Sequence, residues 1–190
     1  MSEKCALVIV DTQNDFCPGG ALPAPNANEA AMKIANLVRS NHSYDYVVAT
    51  KDWHIDPGKH FSETPDFEKS WPVHCKAFTL GAEFHPVLEL ALFDHPLDAE
   101  FPKGQYTPVY SGFEGAYQGE LLESWLKSRG VGTIDVVGIA TDYVVRETVL
   151  DGLKLGFKVN VLTEMIAAIH ADRGERALAE MAAAGATLVQ

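Results

Sequence analysis

Short apolar runs recur along the chain, each closed by a turn signal and followed by a longer stretch of helical period. Cys5–Val10 (CALVIV) is continuous, rich in β-branched residues and too short for a helix, and it ends on Asp11. Tyr46–Thr50 (YVVAT), Ile134–Ile139 (IDVVGI) and Lys158–Leu162 (KVNVL) repeat that form, and Thr187–Val189 repeats it weakly. Strands that are apolar on both faces belong in a parallel sheet covered by helices on each side. Helical periodicity covers Asn28–Arg39, Gly119–Arg129, Tyr143–Leu155 and Asp172–Ala184, with Gly130, Gly156 and Gly185 placed as C-caps. The alternation predicts an α/β fold, a three-layer α/β/α sandwich around a mostly parallel sheet. With 190 residues, no repeat and no linker, residues 1–190 are expected to form one domain. The pattern does not fix the strand order. Lys51–Ser111 breaks the alternation, and a segment that long and irregular inside a compact domain is usually functional.

Ligands of open α/β sheets bind at the carboxyl ends of the strands. Asp11 ends the first run, Asp52 follows the second, and Thr141–Val144 follows Ile134–Ile139. Lys103 lies in the irregular stretch, in P-K-G. Four segments therefore bring polar groups to one edge of the sheet, a convergence that packing does not explain.

The irregular stretch also carries K-D-W-H-I-D-P-G-K-H-F and then W-P-V-H-C, which hold three of the seven histidines. Asp52 and His54 are two apart, so an extended backbone points both side chains the same way. Alone, such a pair reads as a polar surface loop. With His74 and His60 added, it reads as a metal site, with His60 either a ligand or a group supporting one. Imidazole with carboxylate suits Zn, Fe or Mn. Nothing joins His42, His85, His95 or His170 to this group.

Composition narrows the partners. The net charge of −11 opposes binding to nucleic acid or to an anionic membrane surface and says little about a small neutral molecule. No apolar run approaches the roughly 20 residues that span a bilayer, and the first residues lack the layout of a signal peptide. Cys5, Cys17 and Cys75 are odd in number and form no C-x-x-C, so free thiols in a reducing, cytoplasmic setting are expected.

Several segments together resemble the isochorismatase-like cysteine hydrolases, the family that includes nicotinamidases, pyrazinamidases and isochorismatases. They are Asp11–Gly20 (DTQNDFCPGG), Lys51–Phe61 (KDWHIDPGKHF), Trp71–Cys75 (WPVHC), Pro102–Gly104 (PKG), Tyr110–Gly115 (YSGFEG) and Gly138–Arg146 (GIATDYVVR). They run in the family's order and cover nearly the whole chain, and as a set they are highly specific. The resemblance implies the isochorismatase-like hydrolase fold, one divalent metal ion (Zn, Fe or Mn), and a small aromatic amide as substrate. The implied reaction is nicotinamide and water to nicotinate and ammonia, in NAD salvage, with pyrazinamide as a second substrate. Asp11 is implied as general base and acid, and Lys103 as the cation that holds the charge. Asp52, His54, His60 and His74 are implied as metal ligands. Phe16, Trp71 and Tyr110 are implied as walls on which a ring stacks. Ile139–Ala140 matches the family's cis peptide, with Ile139 at the substrate and the Ala140 N–H serving an oxyanion hole. Plainer readings make Asp11 a turn cap, Lys103 a solvated charge, and Phe16 and Trp71 core.

One position departs from the family. Where the family carries its nucleophilic Cys, this chain has Val144. Thiolate attack on the amide carbonyl and hydrolysis of a thioester both need that sulfur. Valine supplies no heteroatom, yet it is close to cysteine in size and the fold should tolerate it. Cys17 and Cys75 are placed too poorly to replace the thiol. Three readings follow: a nicotinamidase whose nucleophile has been replaced, a non-hydrolytic metal-dependent binder of a pyridine or pyrazine carboxamide, or an isochorismatase-type vinyl-ether hydrolase using Asp11. The first is expected, with amide hydrolysis abolished or severely reduced. The helix faces show no obvious excess apolar patch, so the sequence gives no oligomeric state.

Overall fold

A computed structural model describes residues 3–40 and 42–190. Six strands form one sheet: β1 (Lys4–Val10), β2 (Tyr46–Asp52), β3 (Ala99–Lys103), and, following a short hairpin of β4 (Ala116–Tyr117) and β5 (Glu120–Leu121), β6 (Val131–Ile139), β7 (Lys158–Ala167) and β8 (Thr187–Val189). Their order is β3-β2-β1-β6-β7-β8, and every pairing in that sheet is parallel. The helices are α1 (Ala27–Arg39), α2 (Pro86–Asp94), α3 (Leu122–Ser128), α4 (Arg146–Lys154) and α5 (Ala171–Ala184).

The alternation within β1 shows why the fold has three layers. Leu7 and Ile9 join Ile34 and Val38 of α1 and Leu88 of α2 in one core. Ala6, Val8 and Val10 face the other way, toward Trp125 and Leu126 of α3, Val149 of α4 and Met181 of α5. Both faces of the strand are buried, which explains its uninterrupted apolar run. A third apolar cluster, containing Phe16, Trp71, Ile139 and Ala140, sits at the carboxyl edge of the sheet.

Several boundaries differ from expectation. The stretch 51–111 is not wholly irregular: it contains α2 and β3, besides the end of β2 and two short 3-10 turns. β3 is the edge strand, where Pro102 is tolerated because a missing N–H costs least on an edge. The helix expected from Gly119 begins at Leu122, because Gln118 and Gly119 form the tight turn of the β4–β5 hairpin with positive φ at both. The helix expected from Tyr143 begins at Arg146 and is preceded by a π-helical turn, Thr141–Val145. One helix face does carry uncovered apolar side chains: Leu90 and Phe93 of α2 are 62% and 83% exposed.

Candidate active site

The chain runs outward from β1 through β2 to β3 on one side of the sheet, and through β7 to β8 on the other. The reversal lies between β1 and β6, and their carboxyl ends open the crevice where α/β sheets bind ligands. Asp11 leaves β1 with a φ of 39°, a left-handed conformation that Asp adopts more readily than most residues. Asp52 ends β2, Lys103 ends β3, and Ala140 follows β6. The Ile139–Ala140 peptide is cis, as the resemblance implied. Before it, Gly138 has a φ of 124°, and a Cβ there would lie 1.9 Å from the Val10 carbonyl oxygen. Only glycine lets β6 approach β1 that closely at the site.

Lys103 is fully buried and joins two carboxylates. Its Nζ lies 2.7 Å from Asp11 Oδ2 and 2.5 Å from Asp52 Oδ1. The Thr50 hydroxyl donates to Asp11 Oδ1 at 2.6 Å. Burial raises the Asp11 carboxyl to about 6 against the pull of Lys103. Burial acts the same way on Asp52, but there the Lys103 charge outweighs it and holds the carboxyl well below the usual carboxylate range. The Lys103 ammonium is held charged because its two carboxylate neighbours outweigh its desolvation.

Beside this triad, His54, His60 and His74 offer ring nitrogens that all lie within 4.8 Å of one another. His54 Nδ1 contacts the Gly104 carbonyl at 2.6 Å, and His74 Nδ1 contacts the Pro72 carbonyl at 2.8 Å. A carbonyl only accepts, so each Nδ1 is the donor and Nε2 is the nitrogen left to bind an ion, the arrangement found behind metal-ligating histidines. His54 Nε2 and His60 Nδ1 are buried without a hydrogen-bond partner. Burial, reinforced by the neighbouring imidazoles, lowers His60 to about 4, and burial also lowers His74. Three imidazoles converging in a buried cage, two of them with a ring nitrogen left without a hydrogen-bond partner, fit a divalent cation. Asp52 stands at the cage's edge, its Oδ2 3.6 Å from His54 Nε2, too far for a hydrogen bond.

A small pocket opens above these groups. Asp52, His74, Phe16, Trp71, Ala140 and Val144 are among its lining residues, all nine-tenths buried or more. Val144 therefore faces the pocket from the π-helical turn, its own carbonyl accepting from the Thr148 hydroxyl at 2.6 Å. Neither Cys17 nor Cys75 lines this pocket. Burial pushes the Cys17 thiol up to about 12 and Cys75 well above the usual thiol range, so neither is a ready nucleophile.

The other expected residues divide. Asp11 and Lys103 are not among the lining residues of the pocket, but Lys103 joins Asp11 directly to Asp52, which is. Tyr110 is not among the lining residues but contacts one of them: its hydroxyl accepts from Trp71 Nε1 at 3.2 Å, and its ring lies 6.2 Å from His60. Ile139 is fully buried and contributes the cis peptide rather than pocket surface.

Sequence reasoning missed the polar residues after Asp11. The Gln13 amide brackets the backbone of Asp52, donating to its carbonyl at 2.7 Å and accepting from its N–H at 2.8 Å, and also donates to the Ala82 carbonyl at 2.8 Å. Asp15 Oδ2 accepts from the Cys75 N–H at 2.7 Å and so ties down the loop that carries His74. Their signal was present as three adjacent hydrogen-bonding residues opening an irregular loop, a pattern that does not reveal its partners.

The isochorismatase domain model matches residues 5–190. The chain is 48% identical over 185 residues to the nicotinamidase/pyrazinamidase of Mycobacterium tuberculosis, covering 97% of each. The pyrazinamidase of Pyrococcus horikoshii, solved in complex with zinc, superposes with a TM-score of 0.83 at 38% identity over 98% of this chain and 99% of that one. A protein of L. infantum solved with nicotinate gives 0.84 at 32% identity, over 100% and 94%.

Proposed function

Because the chain belongs to the isochorismatase-domain family, we propose that it is a metal-binding protein of nicotinamidase type that holds a small pyridine or pyrazine carboxamide and has lost, or nearly lost, its hydrolysis. The observation that carries this reading is Val144 among the residues that line the pocket, together with Ala140 and Asp52. The mycobacterial and archaeal relatives are a nicotinamidase/pyrazinamidase and a zinc-bound pyrazinamidase, which supports the ligand class and a metal.

The roles follow from chemistry at stated atoms. His54, His60 and His74 would hold a divalent ion (Zn, Fe or Mn) with Asp52 beside them, and that ion supplies a Lewis-acidic partner for a ring nitrogen. Phe16 and Trp71 bind the ring faces and exclude water. Asp11 is the group suited to take a proton from a nucleophile and return it to departing ammonia. Lys103 holds the charge of Asp11, and the Ala140 N–H is assigned to the carbonyl oxygen. What is missing is the attacking atom. Removing the nucleophile from such a cooperating set costs roughly 10⁶-fold in turnover.

The second reading is a natural non-hydrolytic binder of such a carboxamide rather than an enzyme whose nucleophile has been replaced, and the apolar side chain of Val144 in the pocket favours it as much as the first. A vinyl-ether hydrolysis using Asp11 leaves the histidine cage without a purpose. The free thiols of Cys5, Cys17 and Cys75 suit a reducing compartment such as the cytoplasm. The test is ammonia release from nicotinamide by this chain and by Val144→Cys, with calorimetric binding of nicotinamide to both. Binding by the unaltered chain, with turnover appearing only in the Cys variant, is expected. Vigorous turnover by the unaltered chain, or no binding by the zinc-loaded protein, would overturn the reading.

A further inference from the structure

The lining residues of the pocket are not equally buried. The others are buried, whereas Tyr143 and Ile169 are only half-buried and therefore mark the opening. Both rim residues are tied in place. The Tyr143 hydroxyl is bonded by Arg173 of α5 at 2.6 Å, and its ring stands edge-on to Trp71 with centroids 5.1 Å apart. Next to Tyr143 in the chain, the Asp142 carboxylate accepts from the Ile169 N–H and the His170 N–H, each at 3.0 Å. Two consecutive residues of the π-helical turn, Asp142 and Tyr143, thus latch the β7–α5 connection onto the pocket opening.

We infer that Tyr143, locked by Arg173, is a specificity-determining residue that acts as a fixed size filter and restricts the site to a single six-membered ring. The inference rests on the proposed carboxamide reading and deepens it. A pyridine ring anchored through its nitrogen and its 3-carboxamide points carbon 5 away from both anchors, since carbon 5 lies opposite the carbon between them. In the pose that the proposed reading implies, with the nitrogen toward the histidines and the amide toward Val144, carbon 5 is the position left for the less buried end of the pocket, where Tyr143 is a lining residue. A substituent there meets the Tyr143 ring, which cannot swing aside without breaking its bond to Arg173 and its edge contact with Trp71. Arg173 touches no ligand in this arrangement and is a positioning residue.

The test uses the full-length, zinc-loaded protein and calorimetric affinities for nicotinamide and for 5-phenylnicotinamide, which keeps both anchors and adds bulk only toward the rim. The unaltered chain is expected to favour nicotinamide by about 100-fold, within the range a shaped apolar pocket achieves. Tyr143→Ala should narrow that ratio at least about tenfold, and Tyr143→Phe and Arg173→Leu, which release the ring without removing it, should narrow it by less. Arg173→Lys, which can still reach the hydroxyl, should restore most of the discrimination lost in Arg173→Leu. Thermal unfolding of each variant identifies those that fold, and the two milder substitutions keep the test intact if Tyr143→Ala does not. An unchanged ratio in the folded variants overturns the filter alone. Failure of the unaltered chain to bind nicotinamide overturns the function reading, and the filter with it.

Discussion

Replacing Lys103 with Met should destabilise the protein severely, and neutralising its two partners at the same time should recover most of the loss. The ammonium lies 2.7 Å from Asp11 and 2.5 Å from Asp52, with all three side chains at 5% exposure or less. At an effective dielectric near 20, each contact is worth about 6 kcal/mol of attraction, or about 12 for the pair. Against this stands a desolvation cost of several kcal/mol for each of three ions, so the intact triad adds little net stability. Lys103→Met removes the attraction and leaves two carboxylates buried near one another. A loss of about 3–5 kcal/mol is expected, as for other buried pairs broken on one side. Asp11→Asn/Asp52→Asn/Lys103→Met removes all three charges and should be at least about 2 kcal/mol more stable than the single variant. The assay is urea unfolding at neutral pH in a chelator, so that metal binding does not enter. A loss below about 1 kcal/mol in Lys103→Met, or a triple variant no more stable than the single one, would refute the reasoning by showing the triad to be well solvated.

Three further outcomes are expected. Gln13→Leu strands the Asp52 N–H and carbonyl and the Ala82 carbonyl; it should cost about 3 kcal/mol or more in urea unfolding, because each buried polar group left unpaired costs about 1–3. Zinc at a hundredfold excess over its dissociation constant should stabilise the chelated protein by about 2.7 kcal/mol in thermal melts, and His74→Ala should abolish most of that gain. Gly138→Ala drives a methyl group to 1.9 Å from the Val10 carbonyl at a φ of 124°, so little soluble protein should be recovered on expression; normal yield and melting temperature would mean that β1 and β6 separate easily.

The strands were legible where they are buried on both faces. β1 and the core of β6 announce themselves as apolar runs because both neighbouring layers are helical. α2 and β3 escaped notice for opposite reasons. PVLELALFD is apolar around most of its circumference and lacks the polar face that marks helical period, and AEFPK contains a proline permitted only because the strand is an edge. The site was legible where chemistry needs a local spacing, as with Asp52 and His54. It was illegible where partners come from separate loops. The bracket of Gln13 around Asp52 joins positions 39 apart in sequence, and the bond from Arg173 to Tyr143 joins positions 30 apart. No periodicity records such pairs. His60, which from sequence was either ligand or support, converges with the other two imidazoles.

The buried charges also bear on how retired members of a protein lineage should be read. Lys103 offsets the burial of the Asp11 and Asp52 carboxylates, and they offset its own, so drift at any one of them alone is penalised by misfolding whether or not turnover is under selection. Residue 144 carries no such obligation, because a hydrocarbon fills its place at small cost. The persistence of these three charged residues in a chain of this fold is therefore accounted for by folding alone and is no evidence that the chain turns over a substrate.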